Sequence, residues 1–483
     1  MTMPDFNTAT KEDVVEQYRQ LFLRAVWLEK QVFGPKSEKS KHVNELQIDL
    51  NLGVDPAPIT EEVRSTPVVG HSRTVSNKPK SYIPDNLPIL SEETICPDVD
   101  LTRCDCIGVE TTNKLERIPA KIGWHRIHRP KFRDRINGEI SIADLPPHCN
   151  EKGLAGASVL SSVYTNKFQF HQPLYRQAQS IRQETGISFA ESTLCDMVAK
   201  THFWLEAIAT RIGEVILAQT YIQADESRIP VLTKGNKGKV HSGFEWVLYS
   251  PLMRAALFRY APGRAQKYAD ELLKTYKGRI QTDDYVGYNN VHARKDITPI
   301  ACMAHARRYF VNAIDHPKLS AIAILFFKEL YAVEEEARTN KITHEGRTDL
   351  RQEKSVPIMG RFREFLDNNR VGLLPASKIA KAFDYTLNNW QRLNVYLSDG
   401  EVEIDNNLIE NSIRPLALGR KNWMFAGSPK GAEWASVAYS IIATAKLHGL
   451  DPYEYICVLL KELPKTKSTD LDRFLPWNFG KSV

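Results

Sequence analysis

Between residues 220 and 288 the chain changes period. "TYIQADESRIPVL", "GFEWVLYSP" and "AALFRYAP" are short runs rich in β-branched and aromatic residues, broken by the Gly/Lys turn "TKGNKGKVHSG", and such runs read as strands. A helix, "GRAQKYADELLKTY", and one more strand, "GRIQTDDYVGY", follow. Three consecutive strands, a helix and a further strand predict a mixed sheet with helices on its faces. The flanking segments are helical in pattern. Upstream, "FHQPLYRQAQSIRQETGISFAESTLCDMVAKTHFWLEAIATRIGEVIL" reads as helix, Glu-Thr-Gly turn, helix. That is a loose helix-turn-helix outline, open to a DNA-reading role or to an ordinary helix pair. Downstream, residues from His305 to about Ser398 read as amphipathic or buried helices.

The strands carry the chemistry. Asp225 ends the first β run and is followed by Glu226; Asp283 ends the later strand and is followed by Asp284. Strand ends are where an α/β sheet presents functional groups. Two carboxylates on neighbouring strand ends repel unless a cation sits between them, and Mg²⁺ accepts a few carboxylates plus waters and phosphate oxygens. A third acid stands in "EIDNNLIENSIRPLALGRKNW", residues 403–423. There Asn407-x-x-Glu410 has the form of a capping box, on a helix expected to end near Pro415. A carboxylate on that first turn also projects toward a sheet edge. Asp225, Asp283 and Glu410 together suffice to hold two metals roughly 3.5–4 Å apart, the spacing used for in-line phosphoryl displacement.

Basic residues cluster behind the third acid. From Asn411 to Leu450 there are five (Arg414, Arg420, Lys421, Lys430, Lys446) against one acid, Glu433. Arg414 is an i+4 partner for Glu410, and Arg420 and Lys421 are placed to meet a phosphate backbone. His305, Arg307 and Arg308 in "AHARRYF" follow the second Asp and read either as phosphate ligands or as a solvated helix face. Cys302 and His305 make only half of a zinc pattern. Trp423 is either a stacking platform for an unpaired base or a core indole, and His171 reads as a packing residue.

The remainder sets bounds. No apolar run reaches the roughly 18 residues a membrane helix needs, and the N-terminus lacks the halves of a signal peptide, so a cytoplasmic protein is expected. The net charge of +6 over 483 residues says little about a polyanion partner. Seven scattered cysteines argue against a disulfide framework. Val14, Tyr18, Leu21, Ala25, Leu28 and Val32 form a heptad stripe within residues 1–35, either an amphipathic helix or a self-associating coiled coil. Residues 36–94 read as a Pro/Ser/Thr-rich linker. Residues 95–150 carry Cys96, Cys104 and Cys106, with His125, His128 and His148-Cys149 downstream: either a zinc site or buried thiols.

At this point the chain resembles the insertion-sequence-66 family of bacterial transposases. The resemblance covers most of the chain and rests on "FGPKSEK", "HQPLYRQ", "ADESRIPVL", "FRYAPGR", "QTDDYVGYN", "CMAHARRYF", "IDNNLIENSIRPLALGRKNWMFAGSPKGAEWAS", "AKLHGLDPYEYI" and "LPWNF". It implies a DDE catalytic core of RNase H-like fold over residues 221–430, with a helical insertion at about 305–400. That core follows a helical segment at 153–220 and precedes a C-terminal helical segment at 431–483. It implies a leucine-zipper-like N-terminal helix and a small zinc-finger-like domain. Carried over residue by residue, the acidic triad falls on Asp225, Asp283 and Glu410. Two departures stand out: "FRDRINGEI" lacks the family's second cysteine pair, and Asp284 occupies a position where Gly is usual.

The resemblance implies DNA, both element ends and target, as the substrate. Two Mg²⁺ (or Mn²⁺) ions would sit on the triad, activating water for strand cutting and then the freed 3′-hydroxyl for joining to target DNA. Homo-oligomers and small accessory proteins of the same element are implied as partners. Two other readings remain open: an RNase H-like nuclease without strand transfer, and a non-catalytic DNA-binding relic.

Overall fold

The computed structural model describes residues 121–123, 125, 127, 131–133, 140–142, 147–151, 153–232 and 239–480. The heptad, the linker, Cys96, Cys104, Cys106 and His128 lie outside the described residues. The first elements are a two-stranded antiparallel ribbon, β1 (Lys131–Arg133) and β2 (Ile140–Ile142). Three helices follow: α1 (Ala157–Phe168), α2 (Leu174–Thr185) and α3 (Glu191–Leu217). Gly186 ends α2 in the left-handed region at φ 74°, a conformation that favours glycine. The helix-turn-helix outline is therefore present. Its second helix, 27 residues long, buries Leu194, Val198, Leu205, Ile208, Ile212 and Ile216 at spacings of three, four and seven, the stripe of a core helix.

Five strands form the main sheet: β3 (Tyr221–Leu232), β4 (Val240–Ser250), β5 (Ala255–Ala261), β6 (Gly278–Thr282) and β7 (Ile297–Ala301). Their order is β5-β4-β3-β6-β7. The first three are an antiparallel meander, and β6 and β7 add in parallel on the other side of β3. The expected mixed sheet is found, with β7 as an additional edge strand. One helix, α4 (Gln266–Leu272), crosses from β5 to β6, and the turn α5 (Asn289–His292) leads into β7.

After β7 the chain turns helical: α6 (Met303–Val311), α7 (Pro317–Thr339), α8 (His344–Leu350), α9 (Val356–Arg370), α10 (Lys378–Asn388) and α11 (Trp390–Asn394). These helices build a core from Phe310, Phe327, Leu330, Phe362, Leu366 and Phe383, which Tyr221 of β3 and Ile300 and Ala301 of β7 join from the sheet. A second core joins α1, α3 and the sheet to the closing helices α12 (Asn407–Trp423), α13 (Pro429–Leu447) and α14 (Pro452–Glu462). Ser428 and Asp451 cap α13 and α14 by accepting from Gly431 N and Glu454 N, and each helix has proline at its first position, where the missing N–H costs nothing.

Edge strand β5 is covered by α13. The N–H groups of Ala256 and Phe258 donate to Thr444 Oγ1 (3.2 Å) and Ser440 Oγ (2.8 Å), so the helix side chains take over the role of a sixth strand.

Candidate active site

Parallel pairing of β3 with β6 ends at Gln223 opposite Gln281. Asp225 and Asp283 each stand two residues further on. The same register that pairs the glutamines therefore brings the two aspartates side by side. Asp225 is not at a strand end as its position in the first β run suggests. β3 continues to Leu232 because its pairing with β4 extends that far; only the β6 side is open beyond Gln223.

That opening admits a further acid. Carboxylate oxygens of Asp225, Glu226 and Asp283 lie within 4.8 Å of one another. Neighbouring residues of a strand normally face opposite sides, which is why sequence reasoning leaves Glu226 out of the site. Its only signal is adjacency in "ADE". Glu226 is held by Arg264 Nε (2.6 Å to Oε1) and by the Tyr288 hydroxyl (2.9 Å to Oε2). Arg264 in turn lies flat on the Tyr285 ring, 3.6 Å from its centroid. The backbone supports the two aspartates: Glu226 N donates to Asp225 Oδ1 (2.7 Å) and Tyr285 N to Asp283 Oδ1 (3.1 Å).

Glu410 reaches the same region from α12. It is buried, and its charge acts on Asp225. Its Oε1 lies 3.5 Å from Arg308 Nη2 and 3.9 Å from His305 Nε2. The expected capping box does not form. Asp405 takes the capping role instead, accepting from Asn407 N (3.0 Å) and Asn407 Nδ2 (2.7 Å). This leaves the Glu410 carboxylate free of helix capping. Nor does α12 stop near Pro415; it runs on to Trp423. The carbonyl that Pro415 deprives of a partner belongs to Asn411, an exposed residue.

A buried polar network places α12 on the sheet. Gln223 Nε2 donates to Gln281 Oε1 (2.9 Å) and to the Asp405 carbonyl (2.9 Å), while Gln223 Oε1 accepts from Ile409 N (3.2 Å). Gln281 Nε2 donates to the Glu403 carbonyl (3.0 Å), and the Tyr221 hydroxyl donates to Gln281 Oε1 (2.6 Å). Cys302 Sγ joins Asn406 Oδ1 at 2.9 Å, so this thiol is a structural latch.

The electrostatics follow from burial and crowding. Burial, then the charges of Glu226, Asp283 and Glu410, push the Asp225 carboxyl well above the usual range. Burial also raises Asp283, against the pull of the Tyr285 N–H, Arg264 and Arg392. Burial raises Glu410 against Arg308, and burial with the Asp283 charge raises Glu226 against Arg264. The three carboxyls that meet, Asp225, Glu226 and Asp283, form a donor set suited to a hard divalent cation, with the Glu410 charge acting on Asp225.

Asp284 turns away from this cluster, accepting from Arg392 Nη1 (3.0 Å) and Asn389 Nδ2 (3.1 Å). Of the basic residues, Arg308 reaches Glu410 and Arg307 is half-buried. Arg414 and Lys421 are exposed on α12. Arg420 donates to the carbonyl of Arg228 on β3. His171 is in the left-handed region (φ 59°) with a buried Nδ1. No helix among the described residues is long and apolar enough to cross a membrane.

Residues 152–434 match the transposase IS66 family and residues 440–477 the IS66 C-terminal element. Two uncharacterized proteins of Sinorhizobium fredii, y4jD and y4hP, are each 29% identical to this chain over 503 and 497 aligned positions. Both alignments take in 96% of this chain, and 96% and 89% of the respective relatives. With the family match spanning both site aspartates, Glu410 and the helices that position them, the chain belongs to the transposase IS66 family.

Proposed function

We propose that this protein cuts DNA at the ends of a mobile element and joins the resulting 3′-hydroxyl to target DNA. The observation that carries the reading is the meeting of Asp225, Asp283 and Glu226 within the field of Glu410. Asp225 and Asp283 would hold divalent cations, with Glu410 and Glu226 completing the set from either side. Such cations, when bound, supply a hydroxide nucleophile and neutralise charge on the phosphoryl group.

The protein's own groups orient these oxygens. Backbone N–H donors fix one oxygen of each aspartate. Arg308 pulls against the burial that raises the Glu410 carboxyl. Arg264 does the same for Glu226. Arg414 and Lys421, exposed on the helix that carries Glu410, take the phosphate backbone.

The test uses labelled duplexes from the DNA flanking the gene, pre-cut to expose a 3′-hydroxyl, with supercoiled plasmid and Mg²⁺ or Mn²⁺. Transfer of label to plasmid is expected, and Asp225→Asn, Asp283→Asn and Glu410→Gln should abolish it while duplex binding persists. Nicking without joining would support a nuclease instead. Binding alone would support a non-catalytic relic.

A further inference from the structure

Helix α12 links two places. Near its start is Glu410; thirteen residues later, roughly 20 Å along the axis at 1.5 Å per residue, is Trp423. Trp423 lines a cavity of about 320 Å³ that also meets Phe168, Phe425 and Trp434. The end of α1, the turn between α12 and α13 and the first turns of α13 meet there, with Leu174 of α2, Cys195 and Val198 of α3 and Ile229 of β3 completing the wall. The turn is tightly specified. Met424 is in the left-handed region (φ 62°, ψ −47°), and Phe425 N donates to Trp423 O at 2.7 Å, a strained γ-turn. Ala426 then locks onto β3, accepting from Leu232 N (3.0 Å) and donating to Pro230 O (2.8 Å). This strain sets two aromatic side chains, separated by one residue, into the wall of one cavity.

Two polar features mark the wall. Lys167 lines the cavity and has no ion-pair partner among the described residues; burial pulls its ammonium below the usual lysine range, which a phosphate would reverse. Trp434 lines it too, and its Nε1–H, though buried, has no hydrogen-bond partner among the described residues.

We infer that this cavity receives one unpaired DNA base, stacked against Trp423 and its aromatic neighbours, with the adjoining phosphate on Lys167. The volume lies at the low end for small-ligand sites, large enough for a nucleobase and too small for a helix or a strand pair. The aromatic side chains among the lining residues are of the kind on which any base stacks, and the cation matches the charge every nucleotide carries. A base swung out of a duplex needs such a receptor to offset the cost of unstacking. The rigid helix then fixes the distance between the held base and the carboxylates, so the pocket would set which phosphodiester reaches them. The inference rests on the proposed DNA chemistry for its purpose, but its test does not depend on cutting.

The experiment uses the full chain in EDTA and three fluorescein-labelled short duplexes: fully paired, with one bulged thymine, and with an abasic residue in place of that thymine. Stacking of one base is worth about 1–3 kcal/mol. The thymine bulge should therefore bind about tenfold tighter than the abasic bulge in anisotropy titrations, and 2-aminopurine in the bulge should be quenched on binding. Trp423→Ala should remove both effects and change affinity for the paired duplex less than twofold. Trp434→Leu, a milder change, should cut the preference by at least half should Trp423→Ala misfold. Equal affinity of the wild-type protein for thymine and abasic bulges would overturn the inference, as would a preference that survives both substitutions. A protein that prefers the bulged base but never transfers strands with Mg²⁺ would keep the pocket and sink the proposed chemistry. One that transfers strands without any base preference would do the reverse.

Discussion

The side-chain amide of Gln223 donates to Gln281 at 2.9 Å, and each glutamine precedes a site aspartate by two residues. The pair is the hinge on which the site is assembled. It bridges the two parallel strands beneath Asp225 and Asp283. Through the Asp405 carbonyl and the Ile409 N–H it also sets the start of α12, and so the approach of Glu410.

Replacing Gln223 by Leu should therefore damage geometry more than binding. The change strands a buried N–H at Ile409 and a buried carbonyl at Asp405, each worth about 1–3 kcal/mol when unsatisfied. Denaturant titration should show a loss of at least the lower value. Strand transfer should fall by more than tenfold while duplex affinity holds. A variant with unchanged transfer would remove the network from any role in placing Glu410.

The carboxylate cluster predicts an inverse relation between stability and metal binding. Asp225 has a folded pKa above its unfolded value, so the native state holds the proton more tightly. Metal-free stability should then fall as pH rises through the raised pKa, and the whole penalty is present above it. Above the raised pKa, Asp225→Asn should raise the metal-free melting temperature, because a crowded, desolvated charge is gone. The same substitution should abolish most of the Mg²⁺-induced increment, which for a hundredfold excess over Kd is about 2.7 kcal/mol in the wild type. Thermal unfolding with and without Mg²⁺ reads both. An identical Mg²⁺ increment in both proteins would show that the cation binds elsewhere.

The strands that carry Asp225 and Asp283 are legible in sequence because the runs that form β3 to β6 are rich in β-branched and aromatic residues and bounded by turn residues. β7 is not. Its five residues, "ITPIA", contain Pro299, which reads against a central strand; it is accommodated because β7 is an edge strand. The path of α12 through Pro415 is hidden for a related reason: proline argues against a helix locally, and only packing on β3 and β4 restores it. Glu226 is missed because strand periodicity sends it to the opposite face. What exposes it is the point at which β6 leaves β3, a tertiary fact without a local signature. The glutamine pair, by contrast, is written twice, as "QAD" and "QTD".

Glu245 offers a separate pH test. It is fully buried on β4, accepts from Ser436 Oγ on α13 at 2.7 Å, and its Oε1 has no partner among the described residues. Burial pushes its carboxyl up to about 8, against the pull of Ser436. The folded value exceeds the unfolded one, so the native state keeps the proton between about 4.5 and 8, and the wild type should lose stability across that window as pH rises. Glu245→Gln keeps the Ser436 contact and removes the titration. Its stability relative to wild type should grow through the window and level off above it, by a few kcal/mol at most. Parallel stability-against-pH curves for the two proteins would show that Glu245 does not titrate as its burial requires.

The helical region reaches the site through a buried ion cluster. Glu334 on α7 is fully buried between Arg351 Nε (2.7 Å) and Arg347 Nη2 (2.6 Å). Arg347 also holds Glu403 at 2.7 Å, two residues before Asp405. Burial alone would raise the Glu334 carboxyl; the bonds from Arg351 and Arg347 outweigh it and hold the carboxyl below the usual range. A depressed folded value stabilises at neutral pH, and that stability is lost as pH falls through it. Glu334→Ala leaves Arg351 buried without its counter-ion and Arg347 with Glu403 alone, and should cost about 3–5 kcal/mol. Because Arg347 then loses the partner that orients it toward Glu403, the segment entering α12 should loosen and strand transfer should fall. Mg²⁺ binding at Asp225 and Asp283, whose oxygens are fixed by Glu226 N and Tyr285 N rather than by this cluster, should persist. Calorimetric Mg²⁺ titration alongside a transfer assay separates the two effects. Loss of both together would mean that the helices and the sheet fold as one unit.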